Sequence, residues 1–319
     1  MQFSVVIPTF NRRHCIGPAI DSVLNQVDVG LEIIIVDDGS TDGTLEWLAE
    51  QYTDPRIRVL PNVRSKGPAG ARNTGILAAT SDFIAFLDSD DSYLPGHLAA
   101  CQRIFHGFPE VEVIYGRALY EQNGKPVDYM GPNFERKLSQ AVASYTDDDV
   151  VVFSRDYFTH LLEYGCYFNL STVALRAPAA RSLMNETLRI AEDYEYWVRL
   201  SRNHLFACLK QPQIRYQLHD ENISFEQAET AADNTPSLIK AYQIILDYPR
   251  LNARQIHLLH RHMAEVLFSW AYRCRMHHEL REAAHLHLQS FRYGSRVKNV
   301  IALLKLIPIS LYPARRHSR

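Results

Sequence analysis

Phe83-Ile84-Ala85-Phe86-Leu87-Asp88-Ser89-Asp90-Asp91-Ser92-Tyr93 decides how the chain is read. Five apolar residues end abruptly in three carboxylates within four positions. A run of that length, rich in Phe and Ile, predicts a buried strand, and buried strands of α/β domains open into ligand crevices at their carboxyl ends. Three acids crowded at such an end repel one another unless a cation sits among them. Carboxylate oxygens collect hard divalent cations such as Mg²⁺ or Mn²⁺, which commonly share their shell with substrate phosphates. The competing reading is an acidic turn in which Asp91 or Ser92 caps the next helix.

Upstream the pattern repeats. Phe3 to Pro8 forms a β-branched run stopped by proline, and Ile16, Ile20, Val23 and Leu24 recur at helical spacing. Leu31 to Val36 reads as a central strand that ends in Asp37-Asp38-Gly39 and a turn-rich segment, with a helix around Leu45 to Leu48. A third strand is expected from Ile57 to Leu60, a flexible loop at Lys66 to Gly70 and a helix of small residues from Ala71 to Ala79. Strand and helix alternating in this way imply a parallel α/β sheet with its ligands at the carboxyl edge. Asp37-Asp38 also fits a type I turn with an Asx cap. Neither the dinucleotide fingerprint nor the P-loop occurs, so a nucleotide, where one is bound, is held another way.

The 319 residues suffice for one large domain with an appendage or for two domains, and the 46% hydrophobic fraction supports a substantial core. A net charge of −2 gives no reason to expect nucleic acid as a partner. Five scattered cysteines without a C-x-x-C pair fit reduced thiols rather than a disulfide framework. No signal sequence and no membrane-spanning apolar window is apparent, so a cytoplasmic protein is expected.

Four blocks then resemble one family in order and spacing. They are Ser4-Val5-Val6-Ile7-Pro8-Thr9-Phe10-Asn11, Val36-Asp37-Asp38-Gly39-Ser40-Thr41-Asp42-Gly43-Thr44, Ala71-Arg72-Asn73-Thr74-Gly75 and Phe86-Leu87-Asp88-Ser89-Asp90-Asp91. They resemble the family 2 glycosyltransferases, inverting enzymes of the GT-A fold that use nucleotide-diphosphate sugars. The resemblance continues into Ala191-Glu192-Asp193-Tyr194-Glu195-Tyr196-Trp197 and, more weakly, His219 to Ser224. It implies an α/β GT-A domain over residues 1–225, with a mostly parallel central sheet flanked by helices, and a helical extension over 226–319.

Carried over by position, the resemblance makes Pro8, Thr9, Phe10, Asn11 and Asp38 the base-and-ribose pocket. Arg72 becomes a nucleotide contact beside the phosphates, with Asp88 and Ser89 close to them. Asp88 and Asp90 match the D-x-D acids, with Asp90 the more direct ligand of Mn²⁺ or Mg²⁺ and His219 a further candidate. Asp193 matches the general base, supported by Glu192. The implied partners are a UDP-, dTDP- or GDP-sugar and a glycan or lipid-linked acceptor, as in surface polysaccharide synthesis. A sugar nucleotidyltransferase and a non-catalytic nucleotide-sugar-binding scaffold are the alternatives.

Competing readings stay open for the later residues. Glu192 and Asp193 also fit first-turn acids that favour the dipole of a helix over Arg189 to Leu200. His219 also fits a surface or capping histidine. The segment from Tyr120 to Asp149 lacks clear periodicity and is expected to be a long loop that forms the acceptor pocket, with Asp147 to Asp149 a solvated acidic turn. From Thr235 the composition turns helical, with apolar stripes over 256–270, 280–291 and 297–304. The apolar and basic character of the C-terminus fits a docking surface for an anionic membrane or a frayed tail; helix packing against the catalytic domain is the expectation, with weak peripheral association with the inner face of a membrane beside it.

Overall fold

A computed structural model describes residues 2–218, 235–294 and 296–304. The chain divides into two compact units, residues 1–226 and 227–319. The first is built on a sheet of eleven strands in the order β3-β2-β1-β4-β10-β6-β11-β9-β8, with β5 paired to β11 and β7 to β6. The strands are β1 (Gln2–Thr9), β2 (Gly30–Asp37), β3 (Ile57–Pro61), β4 (Phe83–Phe86), β5 (Ser92–Tyr93), β6 (Val111–Gln122), β7 (Lys125–Val127), β8 (Ala143–Thr146), β9 (Val150–Phe153), β10 (Ala174–Arg176) and β11 (Leu205–Leu218). The helices used below are α1 (Ile16–Leu24), α2 (Thr44–Gln51), α3 (Pro68–Ala78), α4 (His97–Gly107), α5 (Gly131–Leu138), α6 (Tyr157–Tyr164), α7 (Ala177–Ala180) and α8 (Glu192–Leu200).

Parallel pairing, which strand–helix–strand alternation requires, holds across β3, β2, β1 and β4 and again between β6 and β11. The short β10 enters antiparallel between β4 and β6, and β8 and β9 close the far edge antiparallel. The sheet is therefore more mixed than a mostly parallel one. Chain order reverses at β1, which has β2 on one side and β4 on the other. That is the topological switch point where an open α/β sheet leaves a crevice. Thr9 pairs with Asp37 in register, and the Leu87 N–H donates to Val6 O at 3.1 Å, so the loops after β1, β2 and β4 leave the same edge.

The strands hold because their apolar faces are removed from water: Val5, Val6, Ile7, Ile33, Ile34, Ile35 and Phe86 are fully buried. Burying such side chains is worth roughly 1.5–3 kcal/mol each. Helix α3 lies close on β1, and a Cβ at Gly75 would stand 2.4 Å from Val6 Cγ1. A glycine is required there.

Beneath the sheet, Glu32 of β2 is buried in a polar knot. It accepts from Ser4 Oγ at 2.6 Å, Thr80 N at 2.9 Å and Thr80 Oγ1 at 2.8 Å, and pairs with Arg58 Nη1 at 3.0 Å. Burial by itself raises its pKa, but these bonds overcome it and hold the carboxyl down to about 2. Glu32→Ala should cost about 1–3 kcal/mol in urea unfolding, because it leaves the buried donors of Ser4 and Thr80 without an acceptor, whereas Arg58, 41% exposed, can turn to water. The contribution is complete above the unfolded pKa of about 4.3 and is lost as pH falls toward 2. A loss below about 1 kcal/mol at neutral pH would show that the knot carries little.

In the second unit, helices span Thr235–Leu246, Ala253–Met276, Leu280–Tyr293 and Arg296–Leu304. Asn252 and Gln255 form a reciprocal capping box at the start of the second of these. A small core of Leu267, Ala271, Cys274, Ala283 and Leu286 joins the two longest helices.

Candidate active site

The strand that carries the acid cluster ends as its sequence suggests, but its three carboxylates point into different surroundings. Asp91 turns inward and accepts from Ser171 Oγ at 2.6 Å. Burial, and then the charges of Asp90 and Asp88, push its pKa well above the carboxylate range. Ser171 also accepts from the Asp88 N–H at 3.0 Å and so fixes the bend of the acidic loop. The capping alternative does not hold, since Gly96 occupies the N-cap of α4 and Ser92 lies in β5. Ser89 is buried, whereas the Asp88 and Asp90 side chains remain 32% and 17% exposed. Each of these two acids lies near an arginine. Asp88 Oδ1 accepts from Arg72 Nη2 at 2.7 Å, and Asp90 Oδ2 lies 4.0 Å from Arg12 Nη2.

Arg72 is the centre of the arrangement. Its other terminal nitrogen, Nη1, donates to Glu192 Oε1 at 3.0 Å, so one buried guanidinium ties the acidic loop to the first turn of α8. Asp193 follows in that turn and accepts from the Tyr194 N–H at 2.7 Å. Burial raises the Asp193 pKa, opposed by Arg72 and that hydrogen bond, with Asp88 raising it further. Glu192 is pushed up to about 7, first by burial and then by Asp193, against the pull of Arg72. Both acids lie in the first turn of α8, so the helix-dipole reading and the site reading coincide.

The loops after β1 and β2 interlock. The Asn11 N–H donates to Ser40 Oγ at 2.8 Å, and the Thr41 N–H donates to Asn11 Oδ1 at 2.8 Å. Asn11 adopts φ 54°, which an amide side chain bonded back to the neighbouring loop tolerates. Asp37 is buried and accepts from the Gly39 and Ser40 N–H groups, the Asx turn anticipated for this pair. Asp38 faces outward and accepts from Asn62 Nδ2 at 2.6 Å and the Gly67 N–H at 2.8 Å. Pro8 is half-buried. Thr9 is buried, with no partner for Oγ1 among the described residues. Phe10 is 43% exposed, with Lys66 Nζ 4.6 Å from its ring centre. A flat exposed ring suits the face of a nucleobase.

Several contributors were not singled out from the sequence. Asn73 clamps the segment before α8: its Oδ1 accepts from the Met184 N–H at 2.8 Å, and its Nδ2 donates to Glu186 Oε1 at 2.7 Å. Thr74 Oγ1 donates to Asn62 Oδ1 at 2.9 Å, and Asn62 in turn holds Asp38. Asn73 and Thr74 sit inside the Ala71 to Gly75 block, so that block was a usable signal. Asn62, Lys66 and Ser171 had none. His219 lies outside the described residues.

Residues 120–149 are not one long loop. They hold the end of β6, the β7 hairpin, α5 and β8, each too short to show a period. The Asn123-Gly124 pair, with φ 52° and 72°, makes the tight turn and was a readable hairpin signal. Asp147 to Asp149 do form an exposed turn, in which Asp147 Oδ1 accepts from the Asp149 and Val150 N–H groups. A recess opens between β6, α5 and the segment before Ser171, lined by Arg117, Tyr120, Phe134, Tyr167, Phe168 and Asn169.

Among the described residues, no three His, Cys, Asp or Glu side chains converge to hold a metal ion. The donors at Asp88 and Asp90 nonetheless fit one kind of site, a hard divalent cation bound through one or two carboxylates and completed by phosphate oxygens and water. Burial raises Asp91 most, and the repulsion by Asp90 and Asp88 that adds to it is what such a cation would relieve. Among the described residues, no helix is long and apolar enough to cross a membrane.

A model of the glycosyl transferase family 2 matches residues 4–159. The chain is 35% identical over 162 residues to the GalNAc(5)-diNAcBac-PP-undecaprenol beta-1,3-glucosyltransferase of Campylobacter jejuni, covering 50% of this chain and 50% of that protein. It spans half or less of the length of several curated relatives that it matches. The crystal structure of S. aureus TarS in complex with UDP-GlcNAc superposes with a TM-score of 0.66 at 17% identity, over 96% of this chain and 90% of that one. The mannosyltransferase PcManGT of Pyrobaculum calidifontis, in complex with GDP-Man and Mn²⁺, gives 0.56 at 17% identity, over 95% and 78%. The fold is GT-A.

Proposed function

We propose, from the match of residues 4–159 to a model of glycosyl transferase family 2, that this chain is an inverting glycosyltransferase. It moves a sugar from a nucleotide-diphosphate sugar to a glycan or lipid-linked acceptor, as a step in surface polysaccharide synthesis. The observation that carries this reading is the buried Arg72. It brings Asp88, at one end of the nucleotide edge, and the turn bearing Asp193, more than a hundred residues later, into one site.

In this reading Phe10 lies against the base of a UDP-, dTDP- or GDP-sugar, and Asp38 accepts from a ring N–H. Pro8, Thr9 and Asn11 shape that pocket, and Ser89 supports the acidic loop. Asp88 and Asp90 would hold Mn²⁺ or Mg²⁺, with His219 as a further ligand. When bound, that metal supplies Lewis-acid stabilisation of the charge that grows on the leaving diphosphate. Asp193 takes the proton of the acceptor hydroxyl as its oxygen attacks the anomeric carbon and the bond to the diphosphate breaks. One base and one in-line displacement invert the configuration. Glu192 and Arg72 position Asp193 and set its charge. The acceptor is met by the 120–149 segment; the recess between β6 and α5 has a volume of only about 10 Å³, so side chains there would have to move to admit a sugar ring. The undecaprenol-linked acceptor in the name of the Campylobacter relative supports a lipid-linked acceptor for this chain.

Donor binding tests the nucleotide half of the reading. Calorimetric titration with UDP-, dTDP- and GDP-sugars in Mn²⁺ should give saturable binding for one of them, lost with EDTA and in Asp90→Asn. Affinity that is indifferent to both EDTA and the substitution would remove the metal from the reading.

A further inference from the structure

The C-terminal unit carries a helix that is inside out. In Arg296–Leu304 the polar Asn299 is fully buried, its Oδ1 lying 2.9 Å from His287 Nδ1 and its Nδ2 donating to Ser290 Oγ at 2.9 Å. Ala302, one turn on, is buried as well. Val297, Val300, Ile301 and Leu304 recur at the i, i+3, i+4, i+7 spacing of a single face, and they are 46% to 73% exposed. The preceding helix, Leu280–Tyr293, adds three exposed apolar side chains, Leu280, Leu288 and Phe291. A helix of a water-soluble unit ordinarily buries its apolar stripe and wets its polar side. This one does the reverse.

Charge says what meets that face. Residues 283–319 contain seven Lys and Arg and no Asp or Glu, in a protein whose net charge is −2. Lys298 is exposed on the same helix as the apolar stripe. We propose that this face docks on an anionic lipid surface, with the apolar side chains at the boundary of headgroups and acyl chains and the basic residues against lipid phosphates. A second copy of the chain fits less well, because two such basic segments would repel. The inference goes beyond the transfer reaction and does not depend on it.

The full chain is tested by co-sedimentation with vesicles of phosphatidylcholine alone or of equimolar phosphatidylcholine and phosphatidylglycerol. It should pellet with the anionic vesicles, remain in solution with the neutral ones, and be released as salt is raised. Val300→Glu with Ile301→Glu should weaken anionic binding by about tenfold or more, and Lys298→Gln by roughly fivefold. All three positions are exposed, so thermal melting should be unchanged. If the double variant does not fold, Lys298→Gln and the salt series on the native chain still decide. No sedimentation with anionic vesicles overturns the proposal. So does self-association without lipid that the double variant abolishes, which would give the face to a second copy. Equal binding to both vesicle types would remove the basic residues from the interaction and overturn it too.

Discussion

Asp193→Asn is expected to lower sugar transfer by about 10²–10⁴-fold while leaving the affinity for the nucleotide sugar near native. The substitution keeps the shape of the side chain and its acceptor oxygen for the Tyr194 N–H, 2.7 Å away. What it removes is the lone pair that takes a proton. Donor binding should be spared because the nucleotide loops, the acidic loop and Arg72 are untouched. Asp193 has its pKa raised first by burial and then by Asp88, against Arg72 and its backbone bond. A raised pKa makes it a stronger base, but it must be ionised to act. Transfer should therefore fall as pH drops through a value above the usual Asp range of about 3.9. That acid limb should vanish in Asp193→Asn. Glu192→Gln should be milder in rate, since Glu192 acts by orienting its neighbour. Two measurements on each variant suffice, calorimetric titration of the donor and transfer to the acceptor across pH. Native transfer by Asp193→Asn would move the base to Glu192. Intact donor binding with no transfer by the native chain, across a broad acceptor panel, would favour a nucleotide-sugar-binding scaffold.

The half of the site that was readable in the sequence is the half written in contiguous blocks. Asp38, Asp88 and Asp90 follow apolar runs, so the strand and the chemistry at its end appear together. Gly75 is legible for a steric reason, because only glycine lets α3 approach Val6. What the sequence hides is partnership across distance. Nothing local marks Ser171 as the residue that holds both Asp88 and Asp91, 83 and 80 positions away. Direction is hidden too: Asp90 and Asp91 are adjacent, yet Asp91 is fully engaged below the surface. Three-residue β10 has no period to detect, although it turns the middle of the sheet from parallel to antiparallel. Arg72 shows the limit most clearly. Its block identified it as a residue near phosphates, but nothing local shows that its two terminal nitrogens also bond Glu192 and Asp88, 120 and 16 positions away.

Arg72→Met, which keeps the bulk and removes the charge, should lower unfolding free energy by about 3–5 kcal/mol at neutral pH. It should abolish most transfer as well. The guanidinium is buried and compensates Asp88 and Glu192 directly, while its charge also pulls down Asp193. Removing it leaves Glu192 and Asp193 in a low-dielectric pocket without their cation, and like charges there are expensive. The pocket's remedy is to take up a proton. Glu192 is already pushed up to about 7 with Arg72 present, and without it the value must rise. The sign of the pH dependence follows. In the unfolded chain Glu192 loses its proton near 4.3, so between that value and the folded one the native state binds more protons, and stability falls as pH rises. In Arg72→Met this window extends to higher pH, so the loss should be smaller near about pH 6 than near about pH 8. Adding Glu192→Gln should recover part of the stability, since it removes the stranded carboxylate, but not the transfer. Urea unfolding of the native chain, the single variants and the double variant at the two pH values measures all of this. A loss below about 1 kcal/mol that is also independent of pH would mean that Arg72 does not hold the two acids together, and the link between the metal-side loop and the base would have to be sought elsewhere.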